Sequence, residues 1–544
     1  MTANQSDGVA TADRIRRFEL AFAWLATAFA LACFARFYVD AGALWRDEIN
    51  SVNLAATPEL SELVRRSEFE SFPPPWTLLL RAWTSFAGGS DGSLRFAGVL
   101  GGASLLAAVW LAARGLGRAA PVVSLAVLAV QPEVLRWSST VRAYGLGACL
   151  GVLVLLALLR VVEAPTRTRV LLAIVATVAS VQVLFQNAVL VAVAVAGAML
   201  LAILRGEARR AWIPVAIGAA GALALLPYLG VIGRVREWSM ILEQEVTLAS
   251  LGDKLVGSFG ATSKVALAVW AVLAAAALAA GVASLVRLGA EPERRAARAR
   301  AIVGAALLVL APLVVVAFFL RLSYPTESWY YVGLFAFAAA SAELALGALA
   351  AAKARLAVLA LACIALVGGA TSAWSAMPQK LTVVDQLAAR VTSEGKPGDL
   401  VVVNPWFLAL TFDRYYVGPL EVLTAPPLED RTLHRYDLIK RRMLETQVMA
   451  PVLERIGAVL AAGGRVWIVG DLNPTPNGLP PLRLGAPPRP GSGWSALADL
   501  FLWSTRLGDY LVAHTTTRQL VYAPGETGQP IEATTLYVVQ GWRP

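Results

Sequence analysis

Between Val170 and Leu204 the chain reads VLLAIVATVASVQVLFQNAVLVAVAVAGAMLLAIL, an apolar stretch without a charged residue. A transmembrane helix needs about 20 such residues, so this stretch is far too long for one crossing. Its polar pair, Gln186 and Asn187, lies in the middle and indicates a tight hairpin between two helices. The stretch therefore predicts two consecutive spans of a polytopic α-helical membrane protein.

The composition extends this prediction to the rest of the chain. Of the 544 residues, 57% are hydrophobic and only 15% are charged, whereas ordinary soluble domains carry about 25% charged residues. Segments of about 17 to 25 predominantly apolar residues qualify as spans, and we predict about eleven transmembrane helices. They lie near residues 18–39, 93–113, 119–136, 140–159, 170–186, 188–205, 211–231, 263–288, 301–321, 329–351 and 355–375.

The basic residues indicate how the chain is oriented in the membrane. In the membrane domain, basic residues gather in short segments that fall on one side of the predicted spans: Arg14–Arg17, Arg114 with Arg118, Arg160–Arg169, Arg205–Arg210, Arg287–Arg300 and Lys353 with Arg355. Cytoplasmic loops are enriched in Lys and Arg, so we expect the N-terminus inside and, after an odd number of spans, the C-terminus outside. The same bias explains the net charge of +10, so we predict no nucleic-acid partner.

Cysteine and histidine limit the kinds of metal site that the chain can form. Cys33, Cys149 and Cys363 lie within apolar segments, so the hydrophilic parts have no candidate disulfide or thiolate metal site. His434 and His514 are the only histidines, which excludes a multi-histidine centre. Carboxylates can hold a divalent cation, but their spacing does not indicate one. We predict no cofactor and no metal site.

The first predicted outer loop, residues 44–92, contains two short helical patterns. Thr57-Pro58-Glu59 is typical of a helix start, and the helix continues through Arg65 and Arg66. Three prolines, residues 73–75, then break the chain. Residues 76–86 form an amphipathic segment that is too short to span, so both helices are expected at the membrane interface.

After Trp374 the composition becomes that of a soluble domain of about 165 residues. Strands are predicted at Asp399–Asn404, Arg465–Gly470 and Thr535–Val539, and helices near Lys380–Glu394, Asp437–Ala462 and Trp494–Leu507. This alternation favours a small α/β fold. The predicted domains are therefore a membrane domain, residues 1–375, and an extracytoplasmic α/β domain, residues 376–544.

Four short motifs recur on the predicted outer side within the first third of the chain. They are Asp47-Glu48, Phe72-Pro73-Pro74-Pro75-Trp76, Leu94-Arg95-Phe96-Ala97 and Thr140-Val141-Arg142-Ala143-Tyr144. In this order they resemble the glycosyltransferase C superfamily, in its protein-mannosyltransferase and aminoarabinose-transferase-like branch. That branch has an acidic pair, a His-Pro-Pro-Leu-Tyr-like element, an Arg-Leu-Pro-Ser-like element and a Glu-x-Arg-x-Tyr-like element.

Two positions depart from the motifs of that superfamily. Phe72 (or Pro73, depending on register) replaces the histidine, and Thr140 replaces the glutamate, so the roles of those residues do not carry over. The resemblance implies inverting transfer of a sugar from a polyprenyl-phosphate donor to an acceptor hydroxyl on a glycan, lipid or protein. It also implies a multi-pass protein of the bacterial cytoplasmic membrane whose active site faces outward.

This chemistry assigns candidate roles to the charged residues on the outer side. A base must take the acceptor proton, and a carboxylate is the usual choice without histidine, so Asp47 is the candidate general base. Glu48, the second predicted catalytic residue, binds the acceptor or an arginine, or only orients the loop through a salt bridge. Arg142 is the candidate for binding the donor phosphate, with Tyr144 donating a hydrogen bond. Further phosphate-binding candidates, each equally well explained as a surface charge, are Arg65, Arg66, Arg95, Lys254 and Lys264.

Aromatic and polar residues supply candidates for sugar or acceptor binding. They are Trp76, Glu327, Tyr330, Tyr331, Gln186 and Asn187. An ordinary aromatic belt at the membrane surface explains the tyrosines and tryptophans equally well, and a helix hairpin explains the Gln-Asn pair. Two other functions stay open: a lipid or glycan transporter, and a catalytically silent membrane protein that presents its outer domain for binding.

Overall fold

The computed structural model describes residues 3–70, 72–239, 246–260, 262–288, 294–349, 351–485, 496–525 and 530–544. The chain divides into two compact units. The helical unit comprises Met1–Val39, Phe72–Leu229 and Val246–Pro378, and the sheet unit comprises Asp40–Ser71, Gly230–Glu245 and Gln379–Pro544. The segment after the first span therefore groups with the C-terminal residues, whereas the sequence-based division assigned it to the membrane domain.

The described residues form twenty-two α-helices and five strands. The helices are α1 (Ala3–Asp40), α2 (Arg46–Ala55), α3 (Leu60–Arg66), α4 (Pro74–Ala87), α5 (Asp91–Gly115), α6 (Val122–Leu128), α7 (Pro132–Ser138), α8 (Tyr144–Glu163), α9 (Arg167–Val183), α10 (Asn187–Leu204), α11 (Trp212–Leu223), α12 (Leu229–Ser239), α13 (Leu248–Gly260), α14 (Lys264–Val286), α15 (Arg295–Leu322), α16 (Val332–Leu346), α17 (Ala352–Ala376), α18 (Val384–Glu394), α19 (Ala409–Tyr415), α20 (Tyr436–Met443), α21 (Ala450–Ala461) and α22 (Ala496–His514). The strands are β1 (Leu400–Val403), β2 (Glu421–Thr424), β3 (Val466–Val469), β4 (Thr515–Tyr522) and β5 (Leu536–Trp542).

Nine helices within the described residues are long and apolar enough to cross a membrane, and the protein is a multi-pass membrane protein. They match nine of the predicted spans. The predicted span at 119–136 is instead two short helices, α6 and α7, because Pro132 has no N–H to continue a helix and begins a new one. The span predicted at 170–186 is α9, whose 17 residues are at the lower limit for a crossing.

The hairpin predicted at Gln186 and Asn187 is confirmed. Helix α9 ends at Val183 and α10 begins at Asn187. The Asn187 amide is buried and donates to the carbonyl oxygen of Gly147 at 2.9 Å and to the Ser180 hydroxyl at 3.0 Å. Asn187 therefore joins α8, α9 and α10, a structural role that the hairpin interpretation anticipated.

Arginines of the predicted cytoplasmic loops form ion pairs and hydrogen bonds with other helices of the helical unit. Glu19 of α1 pairs with Arg355 of α17 at 2.7 Å. Glu163 of α8 pairs with Arg300 of α15, and Arg118 donates to the carbonyl oxygen of Gly347 at 3.2 Å. These loops therefore lie at one end of the helical unit, where arginine contacts satisfy helix-end carbonyls that lack intrahelical partners.

The sheet unit contains one mixed five-stranded sheet in the order β2-β1-β3-β5-β4. Strands β2, β1 and β3 are parallel, and β5 and β4 are antiparallel to their neighbours. Alternate residues of β1 face opposite cores: Leu400 and Val402 pack with α20, α21 and α22, and Val401 and Val403 pack with α18 and α19. The predicted β1, β3 and β5 are confirmed; the sequence did not predict β2 and β4.

The predicted short helices also form, with shifted boundaries. Helix α3 begins at Leu60 rather than at the predicted Thr57-Pro58-Glu59 start, and Glu59 is its N-cap residue without a side-chain cap bond. The amphipathic segment predicted at residues 76–86 forms helix α4, but this helix begins at Pro74, within the prolines that were expected to break the chain, and continues to Ala87. The helix predicted over Asp437–Ala462 is two helices, α20 and α21.

Candidate active site

In the helical unit, glycine residues fix the turn that carries Arg142. This turn connects α7 with α8 and packs directly on α5. A Cβ atom on Gly98 would lie 2.5 Å from the carbonyl oxygen of Ser139, and a Cβ atom on Gly145 would collide with the carbonyl oxygen of Ser138. Only residues without a side chain allow this close approach, so the backbone on both sides of Arg142 is tightly constrained.

Arg142 lies on an aromatic surface. Its guanidinium carbon is 4.3 Å from the ring centroid of Phe72, and both side chains are buried. The Phe72 ring also contacts Tyr144 edge-on at 5.3 Å and Trp76 at 6.4 Å. A guanidinium held over a ring keeps its N–H donors in its own plane, at the edge of the stack. Phe72, which is with Pro73 one of the two residues that could replace the motif's histidine, therefore limits the orientation of the Arg142 guanidinium.

Two further predicted residues join this aromatic cluster from distant parts of the sequence. The Tyr330 ring lies 6.4 Å from the Tyr144 ring, in an edge-to-face arrangement. The Gln186 side chain donates to the carbonyl oxygen of Tyr330 at 3.1 Å. The structure thus brings together Arg142, Tyr144, Trp76, Tyr330 and Gln186, five of the predicted binding residues.

The remaining predicted binding residues of the helical unit have other partners or positions. Glu327 forms an ion pair with Lys254 at 2.7 Å. Tyr331 is buried, and its hydroxyl bonds to that of Thr326 at 2.8 Å. The Arg95 guanidinium is buried over Phe37 at 5.3 Å. Lys264 is exposed at the start of α14. The roles of these residues in binding stay predictions.

A buried ion pair in α7 was not predicted, because these residues were assigned to a membrane span. Glu133 and Arg136 lie 3.6 Å apart, and the Trp137 indole donates to Glu133 at 2.7 Å. Arg136 also donates to the carbonyl oxygen of Ala376 at 2.7 Å. The sequence Gln131-Pro132-Glu133 was the available signal, since a proline followed by an acid is typical of a helix start.

In the sheet unit, Asp47 and Glu48 lie in the first turn of α2, within the segment predicted as an outer loop. Glu48 is fully buried and accepts a hydrogen bond from the backbone N–H of Trp45 at 3.3 Å. This is the bond by which a glutamate at the third helical position stabilises a helix start. The geometry therefore supports a structural role for Glu48, and its catalytic role stays a prediction.

Asp47 belongs to a polar face of α2 that binds the segment 430–435. Asp47, Asn50 and Asn53 follow one another at intervals of three residues and so share one face of the helix. The Asn50 side chain accepts from the backbone N–H of His434 at 2.8 Å, and Asn53 donates to the carbonyl oxygen of Thr432 at 2.9 Å. Leu433, between them, packs in an apolar cluster with Leu54, Leu63 and Phe69.

The side chain of His434 contacts the candidate base. Its Nε2 atom is 3.3 Å from Oδ1 of Asp47, and Nε of Arg46 is 3.7 Å from the same oxygen. The imidazole stacks on the ring of Tyr436 at 5.7 Å and meets Trp406 edge-on at 6.3 Å. No local sequence pattern indicates a role for His434, because 387 positions separate it from Asp47.

The other charged residues near α2 form a network of ion pairs. Arg66 pairs with Glu62 at 2.8 Å and with Asp430 at 3.0 Å, and Arg65 pairs with Glu62. Burial acts to raise the pKa of Asp430, but hydrogen bonds from Thr432 and Arg435 outweigh it and lower that pKa. Arg65 and Arg66 thus form ion pairs with carboxylates, and their predicted phosphate-binding role stays a prediction.

A polar cavity of about 580 Å³ opens beside the same segment. It is lined by Asn53 of α2, by residues 410, 413 and 414 of α19, and by residues 429–432. Burial raises the pKa of Asp413, although Arg431, whose Nε is 3.1 Å away, acts to lower it. Among the described residues, no three histidine, cysteine or carboxylate side chains are grouped closely enough to hold a metal ion.

Sequence comparison finds no matching protein family and no matching curated protein. The structure is similar to apo ArnT, an aminoarabinose transferase, from Cupriavidus metallidurans: the TM-score is 0.54 and the identity 11%, over 82% of this chain and 93% of ArnT. The structure of ArnT from the same organism bound to undecaprenyl phosphate has a TM-score of 0.48 and 12% identity, over 82% of this chain and 92% of ArnT. The archaeal oligosaccharyltransferase AglB from Archaeoglobus fulgidus, in complex with an inhibitory peptide and a dolichol-phosphate, has a TM-score of 0.47 and 13% identity, over 73% of this chain and 63% of AglB. The resemblance predicted from the motifs is thus confirmed at the level of the fold: this chain has the glycosyltransferase C fold.

Proposed function

We propose that this protein is a membrane glycosyltransferase that moves a sugar from a polyprenyl-phosphate donor to an acceptor hydroxyl on the outer face of the membrane. The observation that carries the proposal is the placement of Arg142 on Phe72, beside Tyr144, within a glycosyltransferase C fold. A buried, ring-held arginine is a suitable group for binding a lipid phosphate. The positive-inside pattern supports the outward-facing assignment.

Arg142 is proposed to bind the phosphate of the donor. As the bond between the sugar and the phosphate breaks, negative charge grows on the departing polyprenyl phosphate. The guanidinium stabilises this charge through donors in its plane, and burial strengthens the interaction because water does not screen it. Tyr144, in ring contact with both Phe72 and Tyr330, is proposed to donate a further hydrogen bond.

Asp47 is proposed as the general base. Its side chain is 22% exposed, so an acceptor can reach it, and His434 and Arg46 restrict its orientation. The acceptor hydroxyl transfers its proton to the Asp47 carboxylate while its oxygen forms a bond to the anomeric carbon. The bond from that carbon to the phosphate oxygen breaks, and polyprenyl phosphate leaves with the electron pair.

The test uses purified full-length protein in lipid vesicles with a panel of polyprenyl-phosphate sugars. Release of polyprenyl phosphate and transfer of labelled sugar are measured for the wild type, Asp47→Asn and Arg142→Gln. Matched controls are Glu421→Gln and Arg390→Gln, which remove members of exposed ion pairs in the sheet unit. The proposal predicts turnover in the wild type and both controls and severe loss in the two test variants. Undiminished turnover in Asp47→Asn would overturn it.

The broken helix α6–α7 supports one alternative, transport of a lipid or glycan. Discontinuous membrane helices and buried ionisable pairs such as Glu133 and Arg136 are features of transporters. The same vesicles distinguish the two functions if movement of a labelled polyprenyl phosphate between the leaflets is measured. Movement that is lost in Glu133→Gln and retained in Asp47→Asn, without sugar transfer in the wild type, would favour transport.

A further inference from the structure

We propose that His434 is a positioning residue for the general base: it holds the Asp47 carboxylate in the orientation that accepts the proton of the acceptor hydroxyl. The inference rests on the proposed function. The chain has only two histidines, and the Nε2 atom of one of them lies 3.3 Å from Oδ1 of Asp47. The C-terminal part of the chain therefore supplies part of the catalytic apparatus.

The position of His434 is fixed independently of its contact with Asp47. Its backbone N–H donates to Asn50 of α2 at 2.8 Å, so the base and the histidine are attached to the same helix. Its ring is stacked on Tyr436 and bounded by Trp406, and only 6% of the residue is exposed. An imidazole held by rings and by a backbone bond loses little freedom when it binds Asp47, so it can set the carboxylate orientation.

The surroundings of the ring assign the proton to Nε2. The Nδ1 atom is buried and has no hydrogen-bond partner among the described residues. A proton on Nδ1 would leave a buried N–H without an acceptor, which is unfavourable, whereas Nε2–H has the Asp47 carboxylate as its acceptor. The ring therefore donates from Nε2 to Oδ1.

Two groups then restrict one oxygen of the base. Oδ1 of Asp47 lies 3.3 Å from Nε2 of His434 and 3.7 Å from Nε of Arg46, so together these groups fix the side-chain torsion of Asp47. Arg46 is itself held, because its backbone N–H donates to the buried Glu532 at 3.2 Å. A base held in one orientation reacts faster than a mobile one, since small misplacements of reacting groups lower rates strongly.

Two amide variants distinguish positioning from simple packing. His434→Gln places an N–H donor near the position of Nε2, and His434→Asn places its amide near Nδ1, too far from Asp47 to donate. We expect kcat of His434→Asn to fall about 10- to 100-fold, with little change in KM for the donor. His434→Gln should keep kcat within about threefold of the wild type, since it restores the donated hydrogen bond. Equal kcat values for the two variants would overturn the inference.

Controls separate this inference from the proposed function. His514→Asn alters the second histidine, which stacks on Trp542 and bonds to the carbonyl oxygen of Arg543, and should leave kcat unchanged. In the Asp47→Asn background, His434→Asn should lower kcat no further, because the residue to be positioned is already disabled. If Asp47→Asn abolishes turnover while His434→Asn keeps full kcat, the inference fails and the proposed function stands. If Asp47→Asn is fully active, the proposed function fails.

Discussion

The helical unit and the sheet unit hold their key charged residues in different ways. Arg142 lies on the face of Phe72, in a cluster of aromatic rings. Asp47 is held by a histidine and a neighbouring arginine on a polar helix face. Ring contacts tolerate small shifts, whereas hydrogen bonds are directional. We therefore expect variants around Asp47 to act mainly on kcat and variants around Arg142 mainly on donor binding.

The largest expected effect comes from removing the base itself. Asp47→Asn keeps the shape of the side chain but cannot take the acceptor proton, so kcat should fall about 10²- to 10⁴-fold. The measurement is sugar transfer at saturating donor, compared with Glu421→Gln. A loss that appears only in donor KM would contradict the division of roles between the two units.

The next effect tests whether a positive charge alone suffices at residue 142. Arg142→Lys keeps the charge but loses the planar fork and the stacking on Phe72. Donor KM should rise about tenfold, with a smaller change in kcat. Arg390→Lys is the matched control on an exposed ion pair. A donor KM equal to that of the wild type would show that the stacked geometry is unimportant.

The sequence predicted those features of both regions that depend on local pattern. Apolar length predicted nine of the membrane helices, β-branched runs predicted three of the strands, and motif spacing singled out Asp47 and Arg142. The turn at Gln186 and Asn187 was equally local. The predictions of helices, strands and the turn succeeded because each depends on residues that are close together in the chain. The roles of Asp47 and Arg142 stay predictions.

The missed features depend on contacts between distant residues or on a choice between similar local patterns. The contact of His434 with Asp47 spans 387 positions, and nothing near either residue indicates it. Only the last residue of strand β2 is buried, and β4 is mostly exposed, so neither shows a buried apolar pattern. Two missed features did have local signals. Pro132 indicates the break before α7, but the apolar residues around it favoured an unbroken span. Glu48 is three residues after Trp45, the spacing of a helix start, but its position after the first span favoured a loop.

A smaller effect tests the ring beneath Arg142. Phe72→Leu removes the aromatic face but keeps an apolar side chain, so donor KM should rise about three- to tenfold, as a cation–π contact of about 1 kcal/mol implies. Phe72→Tyr keeps the ring face and should bind the donor more tightly than Phe72→Leu. Phe86→Leu, at an exposed aromatic residue of α4, controls for general loss of aromatic area. Equal donor KM values for Phe72→Leu and Phe86→Leu would show that the Phe72 ring does not contribute to donor binding.

The smallest effect concerns a second carboxylate of the sheet unit, Asp499 in α22. Asp499 is buried, but unlike Asp47 it is not held by a histidine and an arginine within the described part of the chain. Its Oδ2 atom has no hydrogen-bond partner among the described residues, and burial raises its pKa from 3.8 to about 6, although Arg506 acts to lower it. Because the pKa in the folded protein exceeds that in the unfolded chain, protonated Asp499 favours folding below about pH 4. That contribution is lost as the pH rises through about 6.

Asp499→Asn carries no charge at any of these pH values, so it should escape this loss. Relative to the wild type, the variant should become more stable by about 1–2 kcal/mol between pH 4 and pH 7.5, and its turnover should not change. Thermal unfolding of both proteins in the same lipid vesicles at the two pH values measures the difference. A stability difference that is independent of pH would mean that Asp499 is ionised in the folded protein throughout this range. Burial without a hydrogen bond to Oδ2 would then not be enough to keep the Asp499 carboxyl group protonated.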